Sequence, residues 1–320
     1  MIGALLTGGD LGWPAVGVAL RALWYAAGLA GSGLAFFALL HGARQEAADR
    51  TRLRRRAASA AGVGLAAGAG WLVVQVLVLT DGASALDADA WGIVAESRSG
   101  LSVAVGTAGL LLVAPLGVGR AGVALPALGG VLFAGSHALV GHTTMLAGGP
   151  LPAALVAFHV AVAAWWVGSL PPLAWTAARE GPRAAALVES WARAAALAVP
   201  AMAAAGLALS AWLLGGIAPL LASAYGLVLV AKVALVCAML ALAAHNRFRL
   251  TPALAAGDPG AGARLARSIR VEAAVALLVL WTVAELTSVS PPAAPHVTPS
   301  SRRAMIAACI PMGPAREDRA

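Results

Sequence analysis

The chain alternates long apolar runs with short, arginine-rich breaks, and that alternation sets the plan of its elements. Eight runs lie at about 22–40, 58–80, 99–117, 122–140, 152–175, 194–214, 219–244 and 271–289. They approach or reach the ~20 residues that an α-helix needs to cross the hydrocarbon core of a bilayer. None shows the short alternating pattern of a barrel strand. The expected fold is therefore all-α, a polytopic membrane bundle of about eight transmembrane helices. A short amphiphilic lead-in at 13–20 precedes the first run, and Arg21, Trp24 and Tyr25 mark a membrane interface there. Residues 1–289 read as one transmembrane domain. The stretch 290–320, with four prolines in its first ten residues, reads as a disordered external tail.

The polar breaks orient the bundle. The break HGARQEAADRTRLRRR carries six arginines (44, 50, 52, 54, 55 and 56), which places it in the cytoplasm and the N-terminus outside. Alternating outwards and inwards from there puts fifteen arginines in the inner loops and one, Arg98, in the outer loops. Both termini are then external. No cleavable signal peptide is expected, because the N-terminus has no basic segment and its first apolar run leads into the arginine-rich loop.

Composition agrees with this picture. Sixty per cent of the 320 residues are hydrophobic and 11% charged, with a mean hydropathy of +0.84. The partner of such a surface is the lipid bilayer. The net charge of +8 follows the loop topology and forms no stripe, so no nucleic acid partner is expected. Two scattered cysteines make neither a disulfide framework nor a CxxC site. No nucleophile elbow, phosphate-binding loop, HExxH or catalytic carboxylate pair is present, so no enzyme is expected.

Candidate chemistry gathers in residues 136–175. His137 lies near the end of one apolar run, His142 and Met145 lie in a Gly/Pro/Thr break, and His159 lies about two turns into the next run. The topology places all of them towards the outer face. His137 would sit ~6 Å, and His159 ~10 Å, below the outer ends of their helices. Imidazoles with a thioether suit a copper ion better than magnesium or calcium. The packing alternative is that His142 is solvated while His137 and His159 hydrogen-bond helix carbonyls. Trp165 and Trp166 are too deep for an interfacial belt and are expected to pack around His159.

Lys232, the only lysine, falls near the middle of the seventh run, where a lysine costs on the order of 3 kcal/mol unless paired or hydrated. Glu285 is its expected counter-ion by depth. Lys232, Glu285 and Trp166 together mark a possible transport path. His41 and His245, at inner ends, read as solvated caps, and Met202, Cys237 and Met239 as apolar filler that would also serve as soft ligands.

Several of these residues stand in a familiar order. FHVAVAAWWVGSL holds His159, Trp166 and Gly168, and SHALVGHTT holds Gly141 and His142, with Thr143 where the usual residue is alanine. Lys232 is followed by Asn246, Arg247 and Pro252, and RSIRVEAAVALLVL leads to TSVSPP. In these features the chain resembles the CopD family of bacterial inner-membrane copper proteins, which includes YcnJ-type proteins. The resemblance implies an eight-span protein of the inner (cytoplasmic) membrane concerned with copper transport, homeostasis or resistance, with His142 and His159 in the metal site. It also implies a possible periplasmic copper-binding partner. Two other readings of the residues stay open at this stage. One is a membrane redox protein holding b-type haem between histidines. The other is an assembly factor delivering copper to a respiratory oxidase.

Overall fold

The computed structural model describes residues 12–117, 119–140, 150–214 and 224–288. Among them the chain is helical almost throughout, with short connections. The helices are α1 (Trp13–His41), α2 (Ala47–Leu79), α3 (Ala88–Glu96), α4 (Arg98–Val113), α5 (Gly119–Ser136), α6 (Leu151–Ala177), α7 (Gly181–Leu214), α8 (Ala224–His245), α9 (Thr251–Ala256) and α10 (Ala261–Leu286). A 3₁₀ turn, His137–Leu139, follows α5, and a π-turn, Asn246–Leu250, joins α8 to α9.

Apolar chain in a bilayer must satisfy its own backbone groups, which selects helices. Their ends are set by local chemistry. The Asp87 side chain accepts from Ala90 N–H (2.8 Å) and starts α3, and Ser97 does the same for Gly100 N–H (3.0 Å) at α4. Gly257, at φ 76°, terminates α9 in the left-handed conformation that glycine adopts without strain.

Each of the eight expected runs has its helix. Six helical segments are long and apolar enough to cross a membrane; α4 is a shorter apolar helix of 16 residues, and α10 carries charge in its first half. Large apolar side chains on the outside of the bundle, such as Leu197, Leu207 and Leu277, have no protein cover, as expected of a surface solvated by lipid.

Helix α1 is the hub, packing against α2, α5, α6 and α10. Its closest crossing is with α6 at Gly33 and Gly168. A Cβ built on Gly168 would lie 2.5 Å from the Gly33 backbone, and one on Gly33 would overlap the Ala164 carbonyl. Only two glycines allow that approach, as small residues do at membrane helix interfaces. Helix α8 packs on α10, whereas α7 packs on α6 and α9; α7 and α8 are not closely packed on one another.

The two ends of the bundle differ. At one, Arg179 bridges Glu46 (2.8 Å) and Asp49, Arg54 donates to the Leu116 carbonyl (2.8 Å), Arg52 and Arg56 stack over Trp175, and Glu180 accepts from Gly262 N–H (3.1 Å). At the other, Arg21 stacks on Trp71 and donates to Thr287 and Ser288, tying the start of α1 to the end of α10. The arginine-rich breaks thus meet at one end, and the start of α1 and the finish of α10 share the other.

Candidate functional site

His137 and His159 are both half-buried and both bonded to helix carbonyls. His137 Nδ1 lies 2.9 Å from the Phe133 carbonyl, and its ring packs on Tyr25 and Phe133. His159 Nδ1 lies 3.0 Å from the Met202 carbonyl of α7. A carbonyl oxygen only accepts, so each Nδ1 carries the proton and each Nε2 is the unprotonated nitrogen. The carbonyl bonds are those of the packing alternative, yet they also fix the tautomer in which imidazole ligates a metal. Gly206 makes room for this arrangement: a Cβ there would lie 2.9 Å from His159 Cε1.

Lys232 of α8 is half-buried and within electrostatic reach of His159. Glu285 is almost fully buried near the end of α10. His142 and Met145 lie outside the described residues, as do the connection at 215–223 and the tail. Among the described residues, no group of three or more His, Cys, Asp or Glu side chains is placed to hold a metal ion. His41 differs from its expected role as a solvated cap. It is buried against Phe37, and neither ring nitrogen has a hydrogen-bond partner.

The strongest polar constellation inside the bundle centres on a residue the sequence did not single out. Glu272 of α10 is 2% exposed, with Oε1 accepting from Trp166 Nε1–H (2.6 Å) and Oε2 accepting from Asn246 Nδ2–H (3.0 Å). The polar atom of Trp166 is thus committed to Glu272, and Trp165 stacks instead on Trp191 of α7 (5.3 Å between ring centres). Asn246 opens the π-turn, a wide turn found frequently at functional sites.

Glu272, Trp166, Asn246 and Trp191 line a cavity of about 300 Å³ between α6, α7, α8 and α10, whose wall also includes Arg247, Phe248 and Thr251 at the arginine-rich end. Three of the positions that carried the family resemblance, Trp166, Asn246 and Arg247, therefore meet on one cavity. The readable signal for Glu272 was a carboxylate entering an apolar run with no cation three or four residues away on its own helix.

Two family models match the chain. One, described as copper resistance protein D-like, N-terminal domain, covers residues 12–152 and so includes His137, His142 and Met145. The other, described as copper resistance protein D, covers residues 185–286 and includes Lys232, Asn246, Glu272 and Glu285. His159 and Trp166 fall between the two matches. No curated protein and no solved structure matches. With both halves of the bundle matched in order, the chain belongs to the copper resistance protein D family.

Proposed function

We propose that this protein moves copper across the cytoplasmic membrane, taking the ion at an outward-facing histidine and methionine site and releasing it at the arginine-rich inner end. The eight helices that match the apolar runs span the bilayer in this reading, with both termini outside. His159 is the principal ligand, His142 and Met145 supply further donors from the α5–α6 connection, and His137, just before it in the chain, is a further donor. A periplasmic copper-binding protein is the natural donor of the ion.

The observation that carries the reading is the short Nδ1–carbonyl distance at each of the two histidines. Each gives its Nδ1 proton to a helix carbonyl and keeps Nε2 free of a proton, as a metal ligand requires. The 3₁₀ turn of His137, at the start of the α5–α6 connection, packs against α6, the helix of His159. Lys232 would repel a cation standing at His159, so it fits a gate better than a ligand.

The test is copper accumulation in cells carrying the wild-type chain or the His142→Ala/His159→Ala double variant, with membrane levels of each measured in parallel. The variant is expected to accumulate less copper at equal membrane level. Equal accumulation at equal level overturns the proposal.

A further inference from the structure

Opposing influences act on the Glu272 carboxyl. It is buried among apolar helices, where an isolated ionised carboxylate is strongly disfavoured. No cation forms a salt bridge with it among the described residues. Against that cost stand two short N–H donors, from Trp166 and Asn246, which favour the ionised form.

The two partners are chemically unlike. The indole N–H of Trp166 only donates, so Oε1 is the permanent acceptor and Oε2 is the oxygen left to carry a proton. Asn246 has both a donor and an acceptor on one planar group of nearly symmetric shape. As placed, Nδ2–H serves the carboxylate, while Oδ1 is buried without a partner in a residue only 8% exposed. A half-turn of the amide brings Oδ1 to Oε2, where it accepts from the O–H of the neutral acid. One side chain thus satisfies both states of Glu272, and its orphaned oxygen, costly beside a static ion, has a use.

The cavity supplies the route. Its volume holds several waters at ~30 Å³ each. Trp191 contributes a second polar atom without a partner, Nε1–H, to the same wall. Among the described residues, Arg247 is the one other charged side chain on that wall, and α6, α7 and α9 place no titratable group there. The outer site is also linked to the inner one. His159 and Trp166 are seven residues apart on α6, hence on one face and ~10 Å along the axis. A cation bound at His159 is near enough, in a low-dielectric interior, to favour ionisation of Glu272.

We propose that Glu272 and Asn246 form a proton-exchange site on the inner cavity, and that the passage of copper is coupled to it. The coupling rests on the transport reading above. In the exchange, the Oε2–H bond breaks, the proton passes to cavity water, and Asn246 turns from acceptor to donor; the reverse step restores the acid. No other bond changes.

The experiment uses the purified full chain in two arms. In infrared difference spectra between acid and alkaline pH, the wild type is expected to show the carbonyl band of a protonated carboxyl that disappears in Glu272→Gln, shifts in Asn246→Leu and persists in Glu189→Gln, a surface control. In proteoliposomes supplied with copper ions, the uptake rate of the wild type is expected to vary with pH and that of Glu272→Gln to lose this variation. A band unmoved by both Glu272→Gln and Asn246→Leu overturns the proton site. A Glu272→Gln protein with the wild-type pH profile overturns the coupling. Wild-type vesicles that take up no copper at any pH contradict the transport reading and the coupling with it, and leave the infrared result to decide the proton site.

Discussion

Removing one nitrogen from the bundle interior should be measurable as a pairwise energy. The Trp166→Phe substitution deletes the indole N–H that donates to Glu272 Oε1 over 2.6 Å, at a residue 2% exposed. Two losses follow. The smaller ring leaves unfilled volume, and the carboxyl loses one of its two donors. The second is isolated by a double-mutant cycle with Glu272→Leu, in which the packing loss of the ring appears in both backgrounds and cancels. A hydrogen bond to a charged group contributes about 1.5–3 kcal/mol, against about 0.5–1.5 kcal/mol for a neutral pair. The coupling is therefore expected at about 1.5–3 kcal/mol at alkaline pH, falling towards about 1 kcal/mol where Glu272 is protonated. The assay is reversible unfolding of the detergent-solubilised protein, followed by circular dichroism. A coupling below about 0.5 kcal/mol at every pH would refute the reasoning, since it means that water replaces the indole at no cost.

Other substitutions test the helix contacts that hold the site. Gly206→Ala places a methyl 2.9 Å from His159 Cε1 and 3.2 Å from Nδ1, so the ring must shift and its bond to the Met202 carbonyl is disturbed. Copper affinity, read by competition with a chromogenic chelator, is expected to fall at least about tenfold, which corresponds to about 1.4 kcal/mol. An unchanged affinity means that this hydrogen bond does not position the ligand. Gly168→Ala sets a methyl 2.5 Å from the Gly33 backbone, where carbon contacts settle near 3.5–4.0 Å, so α1 and α6 must part by about 1 Å. Loss of about 1–3 kcal/mol in the same unfolding assay is expected, and a neutral substitution contradicts the crossing.

Hydropathy made the helices legible and their lengths less so. The first span was expected from about residue 22, yet α1 begins at Trp13; the sixth was expected from about 194, yet α7 begins at Gly181; the eighth was expected from about 271, yet α10 begins at Ala261. The reason is common to the last two, whereas α1 gains the apolar lead-in at 13–20. An apolar run reports where a helix meets lipid, whereas helices extend past the bilayer through charged turns such as the one holding Arg264, Arg267 and Arg270.

The site was legible only in part. His159 and Trp166 stood out because polar groups are rare in such a chain, and the order of motifs identified the family. Glu272 was hidden for two reasons. It enters its apolar run beside an arginine-rich segment and resembles a boundary charge. Its partners are 106 and 26 residues away, so only the packing of α6, α8 and α10 brings the three together. Lys232 of α8 and His159 of α6 come within electrostatic reach of one another only through the fold.

The most direct test of the central claim is the copper content of purified protein, measured per chain after exposure to copper ions and removal of loosely held metal. Wild-type protein is expected to retain copper in fixed stoichiometry, and His159→Ala protein, folded by circular dichroism, to lose most of it. Equal copper in the two proteins, or none in the wild type, would contradict the account.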